Sequence, residues 1–363
     1  MTAERLCRLR EKLAEKELDA IFITTPENRR YLSGFTGSAG HLLVSARRAV
    51  LATDFRYWEQ AQQQSPDFEL VKVIGGLETW LPQALGDTGA RRVGYEAANM
   101  SVALYNLVVE TLKKMETPQR PEFTPTQDVV EGLRVVKDDA ERAAIERAVR
   151  CADDAFIAVA AQLRPGMTEQ EVAWKLEQHM REHGAESVSF DTIVAAGPNG
   201  AMPHHHPSER RIEKGEPVVI DMGARVDGYC SDMTRTVILG KADKQFRKVY
   251  DIVLGAQMTA AETVQAGMTG HDGDALARSV IEKAGFGEAF GHGLGHGVGL
   301  AVHENPRVGR TSKDVLGDGM VFTIEPGIYI PGWGGVRIED IVTMEKGRAR
   351  DVTRAPKGAA AEL

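Results

Sequence analysis

The chain has 363 residues, of which 42% are hydrophobic and 26% charged, and its formal net charge is -8. At roughly 150 residues per domain, this length predicts two globular domains. The acidic balance, without a basic stripe among aromatic residues, argues against nucleic-acid binding, and no apolar run is long enough to predict a transmembrane helix. The three cysteines form no CxxC pair and the charged N-terminus has no apolar signal core, so we expect a cytoplasmic protein.

The first third of the chain alternates helix and strand patterns. Leu6, Leu9 and Leu13 recur at helical spacing, and helices are also predicted at YWEQAQQQ and TWLPQAL. Short apolar runs predict strands at 21–25, 41–45, 49–53 and 68–73. The polar, proline-rich segment METPQRPEFTPTQD (115–128) predicts a linker or a surface loop. We therefore expect an α/β domain over residues 1–125.

The remainder begins with helices and continues with strands. DDAERAAIERAVRCADDAFIAVAAQL predicts a long helix, and a second helix begins at a capping box of Thr168 and Glu171 and ends near Gly184. From residue 188 onward, strands and glycine turns dominate, with one helical interlude that starts at KQFRKVYDIV. This order predicts an α+β domain over residues 126–363.

The stretch GHGLGHGVGLAVHENP contains three histidines and a glycine at every odd position from 291 to 299. A period of two is strand geometry, so one face of the predicted strand is bare and lets another backbone or a substrate approach closely. The other face carries His292 and His296, whose Cα atoms would lie roughly 13 Å apart at a rise of about 3.3 Å per residue. We therefore expect at most one of them to bind a given metal ion.

The segment PVVIDMGARVDGYCSDMTRT predicts a hairpin that brings two aspartates together. A two-residue loop that starts at Val226 makes Asp221 face Asp232 directly. A loop that starts at Asp227 pairs Asp221 with Thr234 and leaves the two aspartates diagonal, on the same face in either case. Two neighbouring carboxylates need a proton or a cation between them, unless the hairpin lies at the solvated surface.

Glu325 in VFTIEPG and Glu339 in GVRIEDIV also stand within apolar runs that predict strands. Asp340 is expected to point to the face opposite Glu339. If both glutamates converge with Asp221, Asp232 and one histidine, four negative charges match two divalent cations. Carboxylates with a single imidazole suit Mn²⁺ first, with Co²⁺, Fe²⁺ or Zn²⁺ as alternatives. Two such ions can lower the pKa of a bridging water and polarise a carbonyl group, so the predicted chemistry is hydrolysis.

The order of Asp221, Asp232, GHGVGLAVHE, TIEPG and RIED resembles the pita-bread-fold metallopeptidases, the family of methionine aminopeptidase, aminopeptidase P and prolidase. AAGPNGAMPHHHPSERRIEKGEPVVIDMGA and DMTRT look like the Xaa-Pro peptidase branch, and RRYLSGFTGSAG and TDFRYWEQA look like its smaller first domain. The resemblance implies a creatinase/methionine aminopeptidase-like catalytic domain over 126–363. It also implies that domain 1–125 shapes substrate access and takes part in a homodimer.

Carried over to this chain, the resemblance implies a complete set of metal ligands. Asp221 would bind one metal ion, and His296 and Glu325 would bind the other. Asp232 and Glu339 would bridge both ions. Glu325 would also carry a proton to the leaving nitrogen.

The resemblance further implies residues that contact the substrate. His303 would stabilise the scissile peptide or the tetrahedral intermediate, and His204, which follows the NGAMP turn, would face the substrate. His292, Phe190 and Arg337 would line a proline pocket. The alternatives are a core position for Phe190, a counter-charge role for Arg337 and solvated loop positions for the histidines; the two histidines after His204 receive no role.

These inferences predict a dinuclear metallohydrolase that cleaves the peptide bond before proline in proline-containing peptides. GFTGSAG and TDFRYWEQA favour an Xaa-Pro aminopeptidase, with an Xaa-Pro dipeptidase (prolidase) as the alternative. A metal-free creatinase-like hydrolase and a non-catalytic binding module of the same fold are less favoured because all five ligand positions are intact. We expect a homodimer that binds neither nucleic acid nor membranes.

Overall fold

The computed structural model describes residues 2–116 and 119–357. The chain divides into two compact units, Met1–Arg134 and Val135–Leu363. None of the described helices is both long and apolar enough to cross a membrane.

The described residues of the first unit form a six-stranded sheet with helices, as the alternating patterns predict. The helices are α1 (Thr2–Glu15), α2 (Pro26–Ser33), α3 (Trp58–Gln64), α4 (Leu81–Thr88), α5 (Val102–Lys113) and α6 (Glu131–Arg134). The strands are β1 (Ala20–Ile23), β2 (His41–Ser45), β3 (Ala49–Asp54), β4 (Glu69–Val73), β5 (Arg92–Glu96) and β6 (Glu122–Thr126). Their order across the sheet is β4-β3-β2-β1-β5-β6. Leu6, Leu9 and Leu13 form the buried stripe of α1, which confirms the predicted helix.

The segment 115–128 is not simply a linker, because it contains β6. This strand pairs in parallel with β5 and places Pro125 opposite Tyr95. Proline cannot donate to a sheet ladder but is tolerated in an edge strand, and β6 is the edge of its sheet. The first unit accordingly continues to Arg134, past residue 125. Thr117 and Pro118 of the predicted linker lie outside the described residues.

The described part of the second unit combines two helix pairs with several small sheets. The helices are α7 (Asp139–Ala160), α8 (Glu169–Glu182), α9 (Lys244–Thr263) and α10 (Gly270–Lys283). The strands are β7 (Ser187–Val188), β8 (Ile193–Ala196), β9 (Pro217–Met222), β10 (Ala224–Val226), β11 (Tyr229–Cys230), β12 (Met233–Ile238), β13 (Gly295–Gly297), β14 (Glu304–Val308), β15 (Val321–Ile324), β16 (Gly327–Ile330), β17 (Gly334–Arg337), β18 (Asp340–Glu345) and β19 (Arg348–Asp351). The sheets have the orders β11-β10-β7, β12-β9-β8, β14-β13-β15-β18-β19 and β16-β17. The predicted capping box of Thr168 and Glu171 is present at the start of α8.

The acid-bearing strands of this unit bury one face in a helix-covered core. On β9, Ile220 packs in the same buried cluster as Phe156 of α7 and Leu176 of α8. Successive side chains of a strand point to opposite faces, so Asp221 lies on the face away from this core. On β12, Met233 belongs to the same cluster. The polar face of this sheet thus results from the alternation of buried apolar and polar side chains along β9 and β12.

Candidate metal centre

The hairpin that carries the two aspartates adopts the second of the two registers considered. Strands β10 and β11 are joined by the two-residue loop Asp227-Gly228, and Thr234 of β12 lies opposite Asp221 of β9. The loop residues have φ angles of 50° and 78°, as a type I′ turn requires. Asp232, two positions before Thr234, is therefore diagonal to Asp221 and on the same face.

The glycine-rich strand is shorter than the 291–299 predicted, because only β13 pairs with neighbouring strands. A Cβ atom at Gly295 would lie 2.0 Å from the carbonyl oxygen of Thr323, and one at Gly297 would lie 2.1 Å from that of Asn305. Both distances are far below any real contact. The bare glycine face thus admits the backbones of two adjacent segments of the chain itself.

Three of the predicted ligands form a compact group. One ligand atom from each of Asp232, His296 and Glu339 lies within 4.8 Å of the others. The Nε2 atom of His296 is also 3.3 Å from Oε1 of Glu325 and 3.6 Å from Oδ2 of Asp232. The hydroxyl of Thr234 donates a hydrogen bond of 2.6 Å to Oε2 of Glu339. The structure therefore brings four of the five predicted ligands together.

The fifth predicted ligand, Asp221, belongs to the same cluster. Its negative charge raises the pKa of Asp232 and the pKa of Glu339, so it lies close to both. Its Oδ2 accepts a hydrogen bond of 2.6 Å from Arg337, whereas its Oδ1 is buried and has no hydrogen-bond partner among the described residues. Buried carboxylate oxygens are nearly always hydrogen-bonded, so the unpartnered Oδ1 fits an atom that binds a cation.

The imidazole of His296 is oriented for ligation. Its Nδ1 lies 3.1 Å from the carbonyl oxygen of Gly297, which fixes a proton on that nitrogen, so Nε2 is the nitrogen that faces the acids and can bind a cation in place of its own proton. Burial lowers the pKa of His296, but the hydrogen bond and charge of Glu325 outweigh burial and raise it overall. Burial likewise raises the pKa of Glu325, but His296 outweighs this effect and the pKa is lowered.

Among the described residues, no lysine or arginine forms an ion pair with Asp232 or Glu339. Burial first, and then the like charges of neighbouring carboxylates, raise the pKa of Asp232 and the pKa of Glu339 well above their ordinary values. The nearby guanidinium of Arg337 lowers both pKa values by less. Oxygen-rich sites with this excess of negative charge suit divalent cations. The donor set of four carboxylates and one imidazole therefore fits the two metal ions predicted.

Arg337 is buried and contacts the site's own groups. It donates to Oδ2 of Asp221, to the hydroxyl of Tyr329 at 2.9 Å and to the hydroxyl of Thr234 at 3.0 Å. These contacts favour a role for Arg337 as a counter-charge to the acids rather than as a wall of the proline pocket. The hydroxyl of Tyr329 also lies 2.8 Å from Nε2 of His292, and burial raises the pKa of Tyr329 to about 12. Sequence reasoning missed Tyr329, although its strand β16 pairs directly with β17, which carries Arg337.

His303 lies close to His296 and to His204. The ring of His303 is exposed, and its centroid is 4.2 Å from that of His296. Desolvation by the surrounding protein and the charge of His296 lower the pKa of His303, and the charge of the exposed His204 lowers it further, so His204 is also close. Phe190 is half-buried in the bend after β7, and the strand predicted to begin at this residue begins at Ile193 instead.

The chain is similar to known proteins over nearly its whole length. Residues 143–346 match the model of metallopeptidase family M24, and residues 5–136 match the creatinase/prolidase N-terminal domain. An Xaa-Pro dipeptidase from Pyrococcus furiosus is 39% identical over 98% of this chain and 99% of its own length. The structure of an Xaa-Pro dipeptidase from Bacillus anthracis superposes with a TM-score of 0.95, at 41% identity and full coverage of both chains. An X-Pro aminopeptidase from Thermotoga maritima gives a TM-score of 0.89, at 37% identity over 97% of this chain and 98% of that one.

Proposed function

Since the chain belongs to metallopeptidase family M24 and has its pita-bread fold, we propose that this metal-dependent peptidase is an Xaa-Pro dipeptidase. The observation that carries the proposal is the full-length similarity to relatives that bear this name. An Xaa-Pro aminopeptidase, the first expectation from the sequence, is the second candidate and is supported by the T. maritima relative. A homodimer, a cytoplasmic location and a substrate-access role of the first unit stay predictions.

Two divalent ions, with Mn²⁺ preferred, complete this proposal. The residues that would hold them are Asp221, Asp232, His296, Glu325 and Glu339. When bound, the ions would lower the pKa of a water molecule and polarise the substrate carbonyl group. The unpartnered Oδ1 of Asp221 and the raised pKa values of Asp232 and Glu339 support this assignment.

The chain's own residues would move the proton and hold the substrate. The lowered pKa of Glu325 keeps this carboxylate ionised near neutral pH, so it can accept a proton and pass it to the proline nitrogen, which has no N–H of its own. Burial lowers the pKa of His292 and the pKa of His303, so both rings are neutral near neutral pH. The neutral His303 ring can donate a hydrogen bond to the carbonyl oxygen without repelling the metal ions. Both nitrogens of His292 already have partners, Nδ1 the carbonyl oxygen of Gly293 and Nε2 the hydroxyl of Tyr329. Phe190 and His292 are proposed as walls of the proline pocket.

Arg307 offers a reason for preferring dipeptides. It lies opposite His296 in the pairing of β13 and β14, so both side chains are on the same face of the sheet. Its charge lowers the pKa of His303, and the residue is exposed. A dipeptide differs from a longer peptide by a free carboxylate next to the scissile bond. The guanidinium of Arg307 is suited to bind that carboxylate.

A substrate series tests the dipeptidase proposal. With Mn²⁺-loaded protein, kcat/KM should be at least about tenfold higher for Ala-Pro than for Ala-Pro-NH2 or Ala-Pro-Ala, because a charge-assisted hydrogen bond contributes about 1.5–3 kcal/mol. Arg307→Gln should reduce this preference, whereas Arg310→Gln, a change at another exposed arginine three positions further on, should not. Equal or faster cleavage of the longer peptides would instead establish an aminopeptidase.

A further inference from the structure

Residues 197–208, the first part of the connection between β8 and β9, carry the histidine triplet, and we call them the His204 loop. Within it, the carbonyl oxygen of Met202 accepts a hydrogen bond of 3.1 Å from the backbone N–H of His205. This bond closes a four-residue turn with Pro203 and His204 at its centre. Proline favours the second position of such a turn, so His204 is held at the tip.

A single buried carboxylate anchors both ends of the His204 loop. Glu169, the first residue of α8, is 0% exposed. Its Oε1 accepts hydrogen bonds from the backbone N–H of Ala196 at 2.8 Å and from the side-chain amide of Asn199 at 2.9 Å. Its Oε2 accepts from the N–H and hydroxyl of Ser208 at 3.0 and 2.6 Å, and lies 2.8 Å from Nε2 of His205.

This carboxylate is held by the loop rather than by a lysine or arginine. Burial raises the pKa of Glu169, but the hydrogen bonds from the loop outweigh burial and lower it, so the group is ionised at neutral pH. The nearby guanidinium of Arg210 forms its own bidentate pair with Glu216, at 2.6 and 2.7 Å. A buried charge satisfied by five donors of one segment fixes the conformation of that segment.

We propose that Glu169 and His205 are positioning residues of the peptidase site, which hold the His204 loop so that His204 faces His303 and the substrate. The inference rests on the proposed function and adds a role for His205, which the sequence pattern left without one. His205 follows His204 directly, so the bond from its ring to Glu169 fixes the backbone that presents the His204 ring. Misplacing a group in contact with substrate by about 1 Å can cost up to about 10²-fold in rate.

The test combines kinetics with hydrogen–deuterium exchange of the Mn²⁺-loaded full chain. His205→Ala should lower kcat/KM for Ala-Pro about tenfold, consistent with a displaced substrate contact. In a His204→Ala background the same change should have an effect of less than about twofold, because positioning of an absent ring has no kinetic consequence. His205→Gln, which retains a side-chain N–H donor, should recover part of the activity. Exchange of backbone amides in residues 196–208 should rise in His205→Ala and in Glu169→Gln.

A matched control and the opposing outcomes keep the inference separate from the proposed function. His206→Ala, a change at the exposed neighbour of His205, should alter neither kinetics nor exchange. Unchanged exchange of residues 196–208 in His205→Ala would overturn the anchoring role. An equal loss of kcat/KM in both backgrounds would overturn the route through His204. Loosening of the loop in a protein that cleaves no Xaa-Pro substrate would overturn the proposed function alone and support the anchoring role.

Discussion

Two acids adjacent in sequence, Glu339 and Asp340, have opposite electrostatic surroundings. Asp340 is fully buried and is paired with Arg235 at 2.7 Å and with Lys357, and it accepts a hydrogen bond of 2.8 Å from Gln257. Glu339 is 2% exposed, and its carboxylate accepts a hydrogen bond from the neutral hydroxyl of Thr234. Since successive strand residues face opposite sides, one step along the chain separates a balanced structural network from an acid-rich centre.

The difference shows how a buried acid can be assigned to structure or to function. Asp340 has cations of its own chain around it, so its charge stabilises the folded state. For Glu339, burial and then the like charges of its neighbours raise the pKa and make the ionised form unfavourable until an external cation binds. The two networks are also joined, because Arg235 donates a hydrogen bond of 2.6 Å to the backbone carbonyl of Glu339. The network around Asp340 thus holds the proposed metal ligand Glu339 in place.

The largest expected effect is on activity, through Glu339→Gln. The amide keeps an oxygen for the hydroxyl of Thr234 but removes the charge proposed to bridge two metal ions. We expect kcat/KM to fall by at least about 10³-fold, which corresponds to about 4 kcal/mol of transition-state stabilisation. The unfolding midpoint of the metal-free protein should stay the same or rise, because a like charge is removed. Asp232→Asn should behave in the same way, and a loss of activity together with a loss of stability would contradict the comparison.

Asp340→Asn should have the converse effect. It leaves Arg235 and Lys357 without their carboxylate, and removing one partner of a buried ion pair costs about 3–5 kcal/mol. Urea denaturation of the metal-free protein should show this loss, and kcat of the folded protein should fall far less than in Glu339→Gln. Asp351→Asn is the matched control: this half-exposed acid lies 3.7 Å from Nζ of Lys357, so its loss should cost less than about 1 kcal/mol. Equal destabilisation by both variants would contradict a special role for Asp340.

The sequence predicts the parts of the site that follow from local periodicity. Asp221 and Asp232 share a face in either register of a hairpin, and the opposite orientation of Glu339 and Asp340 follows from strand alternation alone. The end of the glycine strand could not be predicted, because it depends on where the distant Thr323 and Asn305 approach the backbone. Strand β6, which contains Pro125, could not be predicted for a similar reason. A proline is tolerated there only because the fold places β6 at the edge of its sheet.

The anchoring role of Glu169 was equally hidden from the sequence. In sequence this residue is an ordinary acid in the first turn of a helix, where a negative charge favours the helix dipole. Only the fold brings residues 196–208 over its carboxylate. Tyr329 was missed because its hydrogen bonds to Arg337 and His292 join three separate segments. Long-range contacts of this kind leave no spacing pattern in the chain.

The smallest predicted effect is the pH dependence of stability of the metal-free protein. The folded pKa values of Asp232 and Glu339 lie above their ordinary values. At any pH between the ordinary and the raised pKa, the folded state therefore binds more protons than the unfolded state. Their contribution to the free energy of unfolding is therefore fully present below the ordinary carboxyl pKa of about 4 and is lost as pH rises through the raised values. For each acid this loss is about 1.4 kcal/mol for every pH unit that separates its folded pKa from its ordinary pKa. As pH rises above about 5, the wild type should therefore lose stability relative to Asp232→Asn. Saturating Mn²⁺ should reverse this difference, because the ion binds the ionised acids of the wild type more tightly. If instead the metal-free wild type gained stability over Asp232→Asn as pH rises, the acids of the cluster would be balanced by cations of their own chain, as Asp340 is.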